Sequence, residues 1–153
     1  MSTKELLYKT YVHSVLDYAC VVWDPSTVCD TEKLERVQNL ATRFVCGRYD
    51  REFSPTLAKE LLQWDTLDCR RRRLRLKFFH IFHSKVGIDR HLYIKAPNNY
   101  SHRVDHKNKV IEFPHRTHSF SKSFFSRTIR DWNQLDKSVA TISSNDIFFS
   151  LLK

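Results

Sequence analysis

The stretch Tyr8 to Pro25, YKTYVHSVLDYACVVWDP, constrains the fold more than any other part of the chain. Tyr8, Tyr11, Val12, Val15, Tyr18, Ala19, Val22 and Trp23 recur at the i, i+3, i+4, i+7 spacing that gathers side chains on one side of a helix. Lys9, Thr10, His13 and Asp17 fall on the other side. The spacing predicts one helix of about five turns, stopped by Trp-Asp-Pro. Burying each large apolar side chain is worth roughly 1.5–3 kcal/mol, so this face is expected to be the hub on which neighbouring helices pack.

The rest of the chain reads as further helices. With 153 residues it has length for one hydrophobic core, and only 2 Gly and 4 Pro leave few sharp turns. A second helix is predicted from Thr31 to Cys46, ending at Gly47, a residue suited to a left-handed C-cap. Leu34, Val37, Leu40, Ala41 and Phe44 form its apolar stripe, with Glu32, Glu35, Arg36, Asn39 and Arg43 on the wet side. Ser54-Pro55 opens a short helix with Leu57, Leu61 and Leu62 facing inward, and Thr66 caps a fourth helix from Leu67 to about Lys85. Leu67, Leu74, Phe78, Ile81 and Phe82 make its apolar side. Arg70, Arg73, Lys77 and His80 make one basic flank. Arg71 and Arg75 lie nearer the core, with Glu35 as their expected partner.

Between 88 and 119 the helical pattern stops. His91–Lys95 and Val110–Pro114 are short alternating runs around a polar, His-rich loop, which reads as a hairpin or as irregular chain. Helical spacing returns in Phe124, Phe125, Thr128, Ile129 and Trp132, and Ser143 with Asp146 reads as a capping box before a last helix. The expected fold is mainly α, a small bundle of about five to six helices with an irregular or hairpin insertion near 88–119. Three blocks follow: a helical core 1–87, a basic connection 88–119, and a segment 120–153 packed on the core.

The chemistry of a self-sufficient enzyme is missing. The sequence has no Asp-Asp pair for two-metal nucleotidyl transfer, no Gly-rich phosphate loop, no G-x-S-x-G and no H-E-x-x-H. The pairs His80/His83, His102/His106 and His115/His118 have chelating spacings, but no C-x-x-C accompanies them. No cofactor, bound metal or small-molecule substrate is expected. Cys20, Cys29, Cys46 and Cys69 are widely spread and read as reduced intracellular thiols, and the opening Met1-Ser-Thr-Lys-Glu lacks a secretory pattern. No apolar run approaches the length of a membrane span, so no membrane partner is expected, and the location read is cytoplasmic or nuclear.

The charge points to a polyanion. Twenty-six Lys and Arg stand against 17 acids, a net +9. The expected nucleic-acid-binding residues are Arg70, Arg73, Lys77 and His80 on the fourth helix, with Lys122, Arg127 and Arg130 beside the later aromatic helix. The competing reading of each basic row is a solvated helix face, and of the aromatic row a packed core. The competing reading of the whole chain is a structural or protein-interaction helical module with no nucleic-acid role.

Four islands then resemble one family. LYKTYVHSVLDYACVVWDP (7–25), LERVQNLATRFV (34–45), LLQWDTLDCRRRRLRLKFF (61–79) and SFFSRTIRDWNQL (123–135) resemble, in order, segments beyond the catalytic palm in reverse transcriptases of non-LTR retrotransposons, the LINE-type elements of the jockey and chicken-repeat groups. The resemblance implies a thumb and post-thumb fragment, with 1–87 as the thumb-like part, that contacts RNA or DNA backbone and follows a polymerase palm. On that reading the palm with its Asp-Asp motif and the endonuclease are missing, and the chain is expected to be a truncated remnant, not an RNA-directed DNA polymerase by itself. His13-Ser14 stand where relatives usually carry Arg-Pro, Asp17 where they carry Glu, and Asp136 where Pro often follows.

Overall fold

The computed structural model describes residues 2–84 and 89–152. The described chain is mainly helical, with no strand among the described residues. It divides into two compact units, 1–71 and 72–153.

Unit 1 begins with α1 (Thr3–Leu7), whose N-cap Ser2 accepts a hydrogen bond from the Glu5 amide at 3.2 Å. The helix passes into a π-helical segment, Tyr8–His13, and then into α2 (Ser14–Asp17). It breaks at Tyr18, which is extended, and Ala19, which is left-handed at φ 49°, before α3 (Cys20–Trp23). The single helix expected over Tyr8–Pro25 is therefore interrupted. The Trp23 indole N–H donates to the Tyr18 carbonyl at 2.7 Å, across the break.

This geometry overturns the expected hub. A π turn takes in more residues than an α turn, so a face drawn at 3.6 residues per turn drifts out of register. Tyr8 is buried and stacked on Trp64 with ring centroids 4.8 Å apart. Tyr11, Val15 and Tyr18, placed inside by the spacing, are 70%, 67% and 79% exposed. Cys20 is buried instead, and His13 and Asp17 from the supposed wet side are half-buried.

The next helices show the same rotation. α4 (Val28–Cys46) starts before Thr31, because Thr27 accepts from the Asp30 amide at 3.1 Å, and it ends as expected on Gly47 at φ 67°. Its buried residues are Gln38, Ala41 and Thr42, whereas Val37, Leu40 and Phe44 are exposed. Gln38 donates through Nε2 to the Asp65 carbonyl at 2.9 Å. α5 (Pro55–Leu61) is capped by Ser54 and buries Ala58 and Lys59, leaving Leu57 and Leu61 exposed.

α6 (Leu67–Ser84) runs from unit 1 into unit 2; its expected end at Lys85 lies outside the described residues. In unit 2 it buries Leu76 and Phe79, while Leu74, Ile81 and Phe82 are half-buried and Phe78 is exposed. Leu76 and Phe79 join Val110, Ile129, Trp132, Phe148 and Leu152 in one core. The other helices are α7 (His118–Ser121), α8 (Phe124–Asn133), α9 (Lys137–Ala140) and α10 (Asn145–Leu151). The N-cap position of α10 is Ser144, not Ser143, and the Ser144 side chain makes no capping hydrogen bond.

The insertion is irregular. A 3-10 turn, Arg90–Leu92, is its only helical element before α7 among the described residues. The two alternating runs are joined by a backbone bond from the Ile111 N–H to the Lys95 carbonyl at 2.8 Å, and form no ladder among the described residues. Side chains hold the segment down instead. Asn133 accepts from the Val110 amide at 3.0 Å and donates to the Val110 carbonyl at 2.8 Å. Trp132 donates through its indole to the Asn108 carbonyl at 2.8 Å, and Asn108 donates to the Ala140 carbonyl at 2.9 Å.

Candidate nucleic-acid interface

The arginine run of α6 starts from a doubly capped terminus. Thr66 Oγ1 accepts from the Cys69 amide at 3.2 Å, and Glu35 Oε1 accepts from the Asp68 amide at 3.2 Å. A carboxylate there satisfies an orphan N–H and complements the helix dipole. Glu35 also holds Lys59 at 3.4 Å. The acids that meet Arg71 and Arg75 are others: Asp24 at 2.8 Å for Arg71, and Asp131 at 2.9 Å for Arg75.

The expected basic flank is largely engaged within the protein. Arg70 Nη2 lies 2.5 Å from Asp17 Oδ2 in unit 1. In unit 2, Arg73 donates to the Leu152 carbonyl at 3.4 Å, and the Lys77 ammonium sits 5.1 Å from the Phe149 ring centroid. His80 corrects the reading outright. It is buried, its ring nitrogens lie 2.8 Å from Asn145 Oδ1 and 2.7 Å from the Ile142 carbonyl, and its ring stacks on Phe148 at 4.1 Å. It is a core residue and offers nothing to a phosphate. The hydrophobic pattern classed these groups as wet because their partners lie more than fifty residues away in sequence.

Lys122, Arg127 and Arg130 are half-buried, Lys122 at the C-cap of α7 and the two arginines three residues apart on α8. The aromatic row beside them packs as core: Trp132 is fully buried and Phe125 packs against the core it belongs to.

Charge is divided unequally. Residues 1–71 hold 10 Lys and Arg against 11 Asp and Glu, and residues 72–153 hold 16 against 6. Residues 72–85 hold five of these cations and no acid, and the irregular segment 88–119 holds six against three acids; there Lys95, Arg103, Lys107 and Arg116 are exposed, as are His91, His102, His115 and His118. An open polar cleft of about 720 Å³ lies here, lined by Tyr100, His102, Lys107, Lys137, Ser138 and Ser143 among others. Lys137 Nζ donates to the carbonyls of His102 and Arg103 at 2.8 and 2.9 Å. Asp105 is tied to Lys109 at 2.6 Å and accepts from the Ser101 amide at 2.8 Å, which holds its carboxyl below the ordinary range. Asp105 also lines the cleft, and the Tyr100 and Ser138 hydroxyls donate within the protein, so exposed Lys107 is the cleft's group best suited to an anionic backbone.

These exposed groups were not singled out by helical spacing, since they lie on no regular helical face. Their signal is density: residues 90–122 hold seven Lys and Arg and five His against two acids.

Among the described residues no group of three or more His, Cys, Asp or Glu is placed to hold a metal, and no helix is long and apolar enough to cross a membrane. His106 is buried and donates through Nε2 to the Trp132 carbonyl at 3.0 Å, which fixes its tautomer. All four cysteines are free thiols, Cys20 buried, Cys69 half-buried, Cys29 and Cys46 exposed. Compared with known protein families, curated proteins and solved structures, the chain matches none.

Proposed function

We propose that the chain is a non-catalytic, nucleic-acid-binding helical module of the kind found beyond the palm of LINE-type reverse transcriptases, acting in the cytoplasm or nucleus. Unit 2 holds RNA or DNA by its backbone. The observation that carries this reading is the concentration of charge, 16 cations against 6 acids in 72–153, with Lys95, Arg103, Lys107 and Arg116 exposed. Lys122, Arg127 and Arg130 extend the basic surface along α7 and α8. Arg70, Arg73 and Lys77 support the fold first, through Asp17, the Leu152 carbonyl and Phe149.

Fluorescence anisotropy of the full chain on single-stranded RNA, duplex RNA and duplex DNA tests this. Binding is expected to tolerate sequence, and log K to fall linearly with log salt. Replacing Lys95, Arg103, Lys107 and Arg116 together by Gln should reduce that slope by about 0.7–0.9 for each phosphate that is no longer neutralised. An unchanged slope, or no binding at low salt, refutes the reading.

The exposed apolar face of unit 1 favours a second role, that of a protein-interaction module. The partner implied for it by the resemblance is a polymerase palm.

A further inference from the structure

Unit 1 leaves an apolar groove open between its first helical stretch and α4. Leu7, Tyr11 and Val12 form one wall and Val37, Leu40 and Phe44 the other, enclosing about 400 Å³ with almost no polar surface. Beside the groove the exposed Tyr11, Val15 and Tyr18 extend the apolar surface as a ridge, with Tyr11 lining the groove itself. Leu40 is 64% exposed. Weighted by their exposed fractions, with about 200 Å² for an aromatic side chain and less for Val and Leu, the ridge, Leu40 and the groove walls present roughly 800 Å². The largest apolar patch of an ordinary monomer is about 300–600 Å², and a stable interface needs about 800 Å² from each partner.

We infer that this face is occupied by a second copy of the chain, in a two-fold dimer through unit 1. This rests on the interaction-module reading and gives it an occupant. Area is the first argument. The second is charge: with 10 cations against 11 acids, unit 1 is close to neutral, so two copies of it meet without strong repulsion between like units. The third is shape. Ridge and groove adjoin through Tyr11, so a two-fold axis sets the ridge of each copy against the groove of the other, and the pairing closes. Tyr11 and Tyr18 are the residue type that anchors such interfaces.

Sedimentation velocity on the full chain at about 0.5 M salt, where bridging by residual nucleic acid is screened, tests this. The 18.3-kDa chain should double in mass as concentration rises. Leu40→Glu and Tyr18→Glu should each return it to a monomer with unchanged far-ultraviolet circular dichroism, while Val104→Glu, on an exposed residue of unit 2, leaves the dimer intact. If either glutamate variant unfolds, hydrogen exchange of the unmodified chain decides, with protection over 7–18 and 37–44 rising with concentration. A monomer at every concentration overturns the proposal, as does open-ended assembly or a dimer that survives folded Leu40→Glu. Anisotropy on folded Leu40→Glu keeps the nucleic-acid reading separate, since it should bind RNA as the parent chain does.

Discussion

Removing Asp24 should destabilise unit 1 through Arg71. The pair Arg71 Nε–Asp24 Oδ1 is 2.8 Å long, and the two side chains are 2% and 6% exposed. Deleting one member of a buried pair typically costs about 3–5 kcal/mol, because the surviving charge stays desolvated. Asp68 offers partial relief, with Oδ1 3.5 Å from Arg71 Nη2, but it is half-exposed and weakened by solvent. Asp24→Ala is therefore expected near the lower end, about 3 kcal/mol, or on the order of 15 °C in Tm for a unit of this size. The double variant Asp24→Leu/Arg71→Met removes both charges and should fall within about 1 kcal/mol of the parent. Urea unfolding followed by tryptophan emission in a Trp132→Phe background reads unit 1 alone, through Trp23 and Trp64. A loss under about 1 kcal/mol for Asp24→Ala, or a double variant as damaged as the single one, would refute the reasoning.

Acid should weaken both units. Burial lowers the pKa of His13, His83 and His106 below 6.5, so the unfolded chain binds protons that the folded one resists. Their stabilising contribution is full above about pH 6.5 and is lost as pH falls through their folded values; the urea midpoint at pH 5 should lie below that at pH 7.5, and His13→Gln should blunt the effect in unit 1. Tyr8 acts at the other extreme: burial pushes its phenol up to about 12, so unit 1 should lose stability between about pH 10 and 12, and Tyr8→Phe should remove that loss. Asn133→Ala strands both the N–H and the carbonyl of buried Val110 and should cost unit 2 about 2–3 kcal/mol in chemical denaturation.

Some helix ends were legible because capping is local chemistry, though the break at Tyr18 and Ala19 and the start of α4 at Val28 were not. Gly47 in the left-handed region, Ser54 before Pro55 and Thr66 before α6 all stand where short-range rules place them. Which face is buried was not legible, since hydrophobic spacing assigns glutamine and histidine to water. Gln38 and His80 are inside because the Asp65 carbonyl and Asn145 receive them, and Arg71, which its spacing did place nearer the core, is met by Asp24 and not by Glu35; such partners are visible only in three dimensions. The π-helical turn adds a second cause, since it shifts phase without any residue that announces it. For the candidate interface, the excess of positive charge was plain, but the row on α6 drew attention from exposed cations on an irregular segment that has no period to detect.

The exchange of bonds between Asn133 and Val110 has a consequence for timing. A side-chain amide here does what a neighbouring strand would do, so the Val110 amide is shielded only while α8 is formed and docked. Val110 should then exchange its proton at the rate of the cooperative opening of unit 2, not at the rate of a loop. Refolding should be ordered likewise: a chain that has not yet built α8 has no template on which to lay 105–111, so that segment should settle after α8.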